Sequence, residues 1–224
     1  MTEASTDGDL FYVGTYTERT QSEGIYLVRM IRRTGELVRI GSVNAGPNPS
    51  FLAIHPNGRV LYAVNELDQG AVSAFTIVKG IDGLTRLSEQ PSGGGSPCFV
   101  SVDRSGRVAL VANYGGGNVA LLPIQPDGTL AASHVVQHTG TGPNVERQQA
   151  PHAHCILPDR SNHFALAADL GADRVFVYHL DPVAKSLRQA GELRLRPGAG
   201  PRHLAFHPTE PLVFVANELD STVA

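Results

Sequence analysis

The sequence predicts an all-β fold, a β-propeller of four-stranded blades, and three observations carry that prediction. Four segments of one pattern follow one another. They are "NPSFLAIHPNGRVLYAVNELDQGAVSAFTI", "SPCFVSVDRSGRVALVANYGGGNVALLPI", "APHAHCILPDRSNHFALAADLGADRVFVYHL" and "GPRHLAFHPTEPLVFVANELDSTVA". Their second apolar runs end on Asn65, Asn113, Asp169 and Asn217, at spacings of 48, 56 and 48 residues. A period of about 40–50 residues with four strands per unit marks propeller blades. Gly (24) and Pro (15) are abundant, as many short strands joined by turns require.

Each element can be justified in order. "DLFYVGTYT", "EGIYLVRMI" and "ELVRIGSV" read as strands two, three and four of a leading blade, residues 9–45, that lacks its own first strand. Full blades are expected over residues 46–93, 94–138 and 150–196, and the start of another over 199–224. Each opens on a small residue and Pro, runs through a short alternating strand, turns at "HPNG" or "DRSG", and continues as an apolar strand. The pieces "RRTGELVRI", "GIDGLTRLS", "QPDGTLAAS" and "PVAKSLRQA" supply turns before the fourth strands. One domain is expected, about four and a half blades long. It reads as a C-terminally shortened propeller, whose open sheet edges would favour association.

Composition narrows the function classes. Charge is nearly balanced, 18 basic against 21 acidic residues, and no basic run points to nucleic acid. The start, "MTEASTDGDL", has no secretion-signal pattern, and no apolar stretch reaches the roughly 18 residues a membrane helix needs. Cys98 and Cys155 form no CxxC pair and read as reduced thiols, so a cytoplasmic location is expected. With no Trp and 6% aromatic residues, the rim of a protein-binding platform is weakly supported, and no obligate protein partner is predicted.

The repeat allows positions to be compared within the chain. Counted from the Pro that opens each blade, the next residue is Ser50, Cys98, His152 and Arg202, and two further on stand Leu52, Val100, His154 and Leu204. Strand one of a blade lines the central channel. His152 and Arg202 are therefore expected side by side at its mouth, with His154 deeper on the same face. Glu66, Tyr114, Leu170 and Glu218 follow the strand-two terminators and approach the same mouth. Arg147 and Gln148, in "GPNVERQQAPH", are expected to add a second cation and an amide. The catalytic candidates are His152, His154, Arg202 and Glu218; the substrate-binding candidates are Arg147, Gln148, Glu66 and Tyr114.

The residue types suggest their chemistry. An imidazole can take a proton from water near neutral pH. A guanidinium offers a planar fork to a carboxylate, phosphate or oxyanion. A carboxylate can orient the imidazole or shuttle a proton. There is no G-x-S-x-G elbow, so addition of water or proton abstraction is favoured over a covalent intermediate. A His-x-His strand can also bind metal, but no acidic cluster completes a shell, and no metal or other cofactor is expected. His55 and His207 stand in "HP" turns, while His134, His138, His163 and His179 read as surface or turn residues. "GGGN" after Tyr114 fits either a phosphate cradle or a hairpin.

At "YVGTYT", "YAVNE", "VANYGGG", "ERQQAPHAH", "ADLGADRVFVY" and "GPRHLAFHP…FVANEL" the chain resembles the bacterial lactonase family of seven-bladed propellers, the propeller-type 6-phosphogluconolactonases. The resemblance runs through nearly the whole chain. It implies a cytosolic, metal-independent hydrolase opening 6-phospho-D-glucono-1,5-lactone, in the oxidative pentose phosphate route. The related carboxy-cis,cis-muconate cyclases imply a catalytic His, Arg and Glu, which fall on His152 or His154, Arg202 and Glu218. A further family Arg is expected from a later blade. A muconate-type cycloisomerase and a non-catalytic binding propeller are the alternatives.

Overall fold

The computed structural model describes residues 8–78 and 83–224; residues 79–82, which include the first three of the "GIDG" turn, and the first seven residues lie outside it. All regular elements among the described residues are β-strands, grouped into five antiparallel sheets. The first holds β1 (Asp9–Val13), β2 (Ile25–Met30) and β3 (Leu37–Val43). Three four-stranded sheets follow. The first contains β4 (Leu52–Ile54), β5 (Val60–Asn65), β6 (Ala71–Ile77) and β7 (Leu84–Pro91). The next contains β8 (Pro97–Val102), β9 (Val108–Asn113), β10 (Asn118–Pro123) and β11 (His134–Gln137). The last contains β12 (Ala153–Pro158), β13 (Phe164–Asp169), β14 (Arg174–Asp181) and β15 (Ser186–Arg194). β16 (Pro201–Phe206), β17 (Val213–Asn217) and β18 (Thr222–Val223) complete the set.

Within every sheet each strand pairs with its neighbour in sequence, so each sheet is a meander. Between sheets the inner strands meet in succession, β4 with β8, β8 with β12 and β12 with β16. This radial stacking of meanders is a propeller, and its burial follows from it. β5 and β9 are covered on both faces by adjacent blades and are buried along their whole length, which is why they read as unbroken apolar runs. The outer strand β15 is exposed at all but one position. The largest core cluster lies between the blades of β8 and β12, where Phe99, Leu110, Leu121, Ile156, Phe176 and Tyr178 pack together.

The strand-two terminators are buried, and three of them tie the start of a blade to its neighbour or incoming connection. Asn65 Nδ2 donates to the carbonyls of Ala45 (3.2 Å) and Pro47 (2.8 Å) in the incoming connection. Asn113 Nδ2 donates to Ser92 O (3.2 Å). Asp169 does most: Oδ1 accepts from the amides of His152 (2.8 Å) and Ala172 (2.9 Å), and Oδ2 accepts from His138 Nδ1 (2.6 Å). His138 Nε2 then accepts from the Tyr178 hydroxyl (2.6 Å). His138 is therefore a buried joint between two blades and not the surface residue expected of it; the carboxylate and phenol satisfy both ring nitrogens away from water. "GGGN" is a hairpin turn. The Gly116 and Gly117 amides bond to the carbonyls of Gly95 and Tyr114, and Gly117 has φ of 60° with Pro151 O 2.5 Å from where a Cβ would stand. Two of its amides are thus engaged within the protein.

Candidate active site at the hub

The inner strands do not start in simple register. The pairing with the second strand shifts between Pro97 and Phe99, between Ala153 and Cys155, and between Pro201 and His203. Each shift is a bulge, and the residue left over is Cys98, His154 or Arg202. A bulge re-aims a side chain out of the ladder, and here all three residues line one cavity of about 420 Å³ with Ser50, Phe51 and His203. Glu66, Tyr114, Arg147, Glu218 and Tyr16 close its wall.

The bulges correct the register expected from sequence. Pro97 faces Asn113, Ala153 faces Asp169 and Pro201 faces Asn217. Ala153, and not Pro151, therefore occupies the place that proline holds in the other blades. The equivalent hub positions are Ser50, Cys98, His154 and Arg202. Arg202 consequently sits beside His154, its Nε donating to His154 Nε2 at 3.0 Å, and not beside His152. The error came from counting from the first Pro, whereas strand pairing sets the register. His152 lies just before β12, stacked on Tyr114 at 4.4 Å between centroids, with Nδ1 donating to Tyr114 O (3.0 Å). It supports the cavity wall without lining it.

The other candidates divide in the same way. Arg147 reaches the cavity and donates through Nη2 to Glu218 Oε1 (2.7 Å) and to the Tyr114 hydroxyl (3.3 Å). Glu218 Oε2 lies 3.0 Å from Arg202 Nε, so one carboxylate bridges two guanidiniums. The two Nη groups of Arg202 have no protein partner among the described residues. Across the cavity Glu66 Oε2 accepts from Tyr16 OH (2.8 Å) and Ser50 Oγ (2.5 Å). Gln148, expected at the mouth, is instead fully buried. Its Nε2 donates to Leu170 O (2.9 Å) and Asp173 Oδ1 (2.7 Å), and its Oε1 accepts from Asn144 N (3.1 Å). That full set of bonds pins the loop that delivers Arg147.

Electrostatics sort the titratable groups. Burial, reinforced by the Arg202 guanidinium and then by His203, pushes the His154 imidazole down to about 4. His154 is therefore neutral at pH 7. Its Nε2 lone pair is occupied by Arg202, so Nδ1 carries the proton, buried and without a partner among the described residues. That makes it a holder of Arg202 and a poor proton acceptor. Burial raises the Cys98 thiol well above its ordinary value, which removes it as a nucleophile. Two polar cavity residues escaped the sequence reading. Tyr16 belongs to the leading blade, where the repeat was incomplete. His203 was readable: where the other copies carry Phe51, Phe99 and Cys155, it stands alone as a polar residue. Among the described residues no group of three or more His, Cys, Asp or Glu side chains is placed to hold a metal ion. No helix among them is long and apolar enough to cross a membrane.

Radial meanders around a polar hub cavity define a β-propeller with a candidate small-molecule site. The profile of the family described as "Lactonase, 7-bladed beta-propeller" matches residues 10–224, and the chain belongs to that family. It is 39% identical over 214 residues to a 6-phosphogluconolactonase of Bacillus subtilis, covering 95% of this chain and 60% of that protein. A 6-phosphogluconolactonase of Formosa agariphila is 28% identical over 220 residues, covering 95% of this chain and 62% of its own length. Among solved structures, a periplasmic gluconolactonase of Pseudomonas aeruginosa superposes with a TM-score of 0.88 at 32% identity, covering 96% of this chain and 62% of that one. A Bacteroides fragilis structure gives 0.90 at 35% identity, covering 98% and 64%. The chain thus spans about 60% of the length of the curated relatives it matches.

Proposed function

We propose that the hub cavity binds and hydrolyses a sugar lactone, with 6-phospho-D-glucono-1,5-lactone as the substrate and 6-phosphogluconate as the product. The observation that carries this reading is the arrangement around Arg202. Its Nε is fixed by a neutral imidazole and a carboxylate, and its two Nη groups are left for an oxygen of the ligand. A guanidinium so oriented is pre-organised for the charge that develops on a carbonyl oxygen under attack by water. Arg147 adds a second cation at the rim, suited to the phosphate. Glu66, with Oε2 held by two hydroxyls and Oε1 unengaged among the described residues, suits the sugar hydroxyls. Glu218 keeps both arginines in place until an anion competes for them. The names of the relatives agree with a lactone as substrate, and such a role belongs to cytoplasmic carbohydrate metabolism in the pentose phosphate route.

The test is turnover by the full-length protein on the phosphorylated lactone, measured above the spontaneous rate, beside carboxymuconate and with a chelator present. Lactone turnover that survives the chelator is expected, with Arg202→Ala losing roughly 10²–10³ in kcat, the scale for removing one oxyanion donor. Preference for carboxymuconate would assign the same residues to a cyclase. Ligand binding without turnover would leave a binding propeller.

A further inference from the structure

We propose that His203 is the general base, the group that takes the proton from the attacking water. The proposal rests on the lactone-hydrolysis reading above and adds a catalytic residue to it. In an unbulged strand, successive side chains alternate between faces. The bulge between Pro201 and His203 breaks that alternation, so Arg202 and His203 both line the cavity. The corresponding places elsewhere carry Phe51, Phe99 and Cys155, so packing at this position does not call for an imidazole.

The ring is held by shape. It stands edge-on to His154 (5.1 Å between centroids), Phe99 (5.9 Å) and Phe51 (6.4 Å). Neither ring nitrogen makes a hydrogen bond among the described residues, and neither is a buried orphan. The other acceptors are engaged. His154 Nε2 is taken by Arg202. Glu218 faces a guanidinium with each oxygen. Glu66 holds two hydroxyls on one oxygen, and a carboxylate is a weak base at neutral pH. Burial, helped by Arg202 and opposed by Glu218, lowers the His203 imidazole from its ordinary value, so its free form prevails at pH 7. The charged and titratable groups that share the cavity with it are Arg202 on its own strand, His154 on β12, Glu218 after β17, and Arg147, Tyr114, Cys98, Glu66 and Tyr16.

The step balances without a co-reactant. Water forms a bond to the carbonyl carbon and gives a proton to His203, while the carbonyl π pair moves to the oxygen facing Arg202. The pair returns, the bond from carbon to ring oxygen breaks, and the ring oxygen leaves with that bond's electrons and the proton from His203. The product is a hydroxy acid, which loses its own proton to solvent.

The decisive variants are His203→Asn and His203→Phe in the full-length protein, the second restoring the residue found in two other blades and therefore expected to fold. Both should lose about 10²–10⁴ in kcat with KM within a few-fold. The wild-type acid limb of kcat/KM, below pH 6.5, should disappear in His203→Asn. Added imidazole should restore part of the activity to His203→Ala. Wild-type kcat in His203→Phe, or an unchanged acid limb in His203→Asn with its loss in Glu66→Gln or His154→Asn, overturns the assignment and leaves lactone hydrolysis standing. A wild-type protein inactive on lactones removes the functional reading and the base assignment together.

Discussion

His154 illustrates how one residue can be placed by its neighbours into a role its type does not suggest. An imidazole is ordinarily a proton acceptor near neutral pH, yet here Arg202 donates to its only lone pair and burial holds it neutral down to about pH 4. The same shift links folding to pH. Between pH 6.5 and about 4 the unfolded chain accepts a proton on His154 that the folded chain refuses. Stability should therefore be full above pH 6.5 and fall as pH falls through that window, by about 3 kcal/mol in all. Urea unfolding at pH 7 and pH 4.5 should show this loss in the wild type and a smaller one in His154→Asn. Equal losses in both would place the acid sensitivity elsewhere.

At the scale of elements, the bulged inner strand is what makes a site. A regular ladder would have presented one face of β12 and of β16 to the hub. The extra residue in each places His154 and Arg202 within hydrogen-bonding distance across two blades. The start of β12 is held in turn by Asp169, which fastens His152 N, Ala172 N and His138 at once. Asp169→Ala would leave two buried donors and one part-buried donor without partners, and since each buried orphan costs about 1–3 kcal/mol, a loss of at least about 2 kcal/mol is expected in denaturant unfolding. Asp169→Asn, which keeps two acceptor bonds but not the charge opposite His138, should lose less. A loss under 1 kcal/mol in the alanine variant would show that the joint is dispensable.

On the scale of the whole molecule, burial is uneven from blade to blade. Strands β5 and β9 of the middle blades are buried throughout, while β1 exposes Leu10, Phe11 and Val13, and β17 exposes Phe214, with Leu212 exposed just before it. Both are faces on which the interior blades carry buried apolar rows, and exposed apolar surface of this kind drives association. A polypeptide of these 224 residues produced alone should run above its monomer mass in light scattering; a monomer with one sharp melting transition would contradict this. The same radial order explains the reach of the site, since Tyr16 and Glu66 come from the first two sheets and Glu218 from the last.

The sequence by itself determined the repeating unit, because hydrophobic period, turn residues and a polar terminator are local and recur whatever surrounds them. It also placed Arg202, Glu218, Glu66 and Tyr114 at one end of the inner strands, since residues at matching places in matching blades must be neighbours, whereas Arg147 stands in a loop with no counterpart in the other copies. Only the tertiary structure decided which histidine meets the arginine. A two-residue offset in one blade is invisible when counting from proline, and hydrogen bonding between β12 and β13 settles it. Tertiary packing likewise buried His138 and Gln148, whose polar side chains find partners that lie in other strands and loops. Burial depends on what arrives from elsewhere in the chain, and no window of residues contains that information.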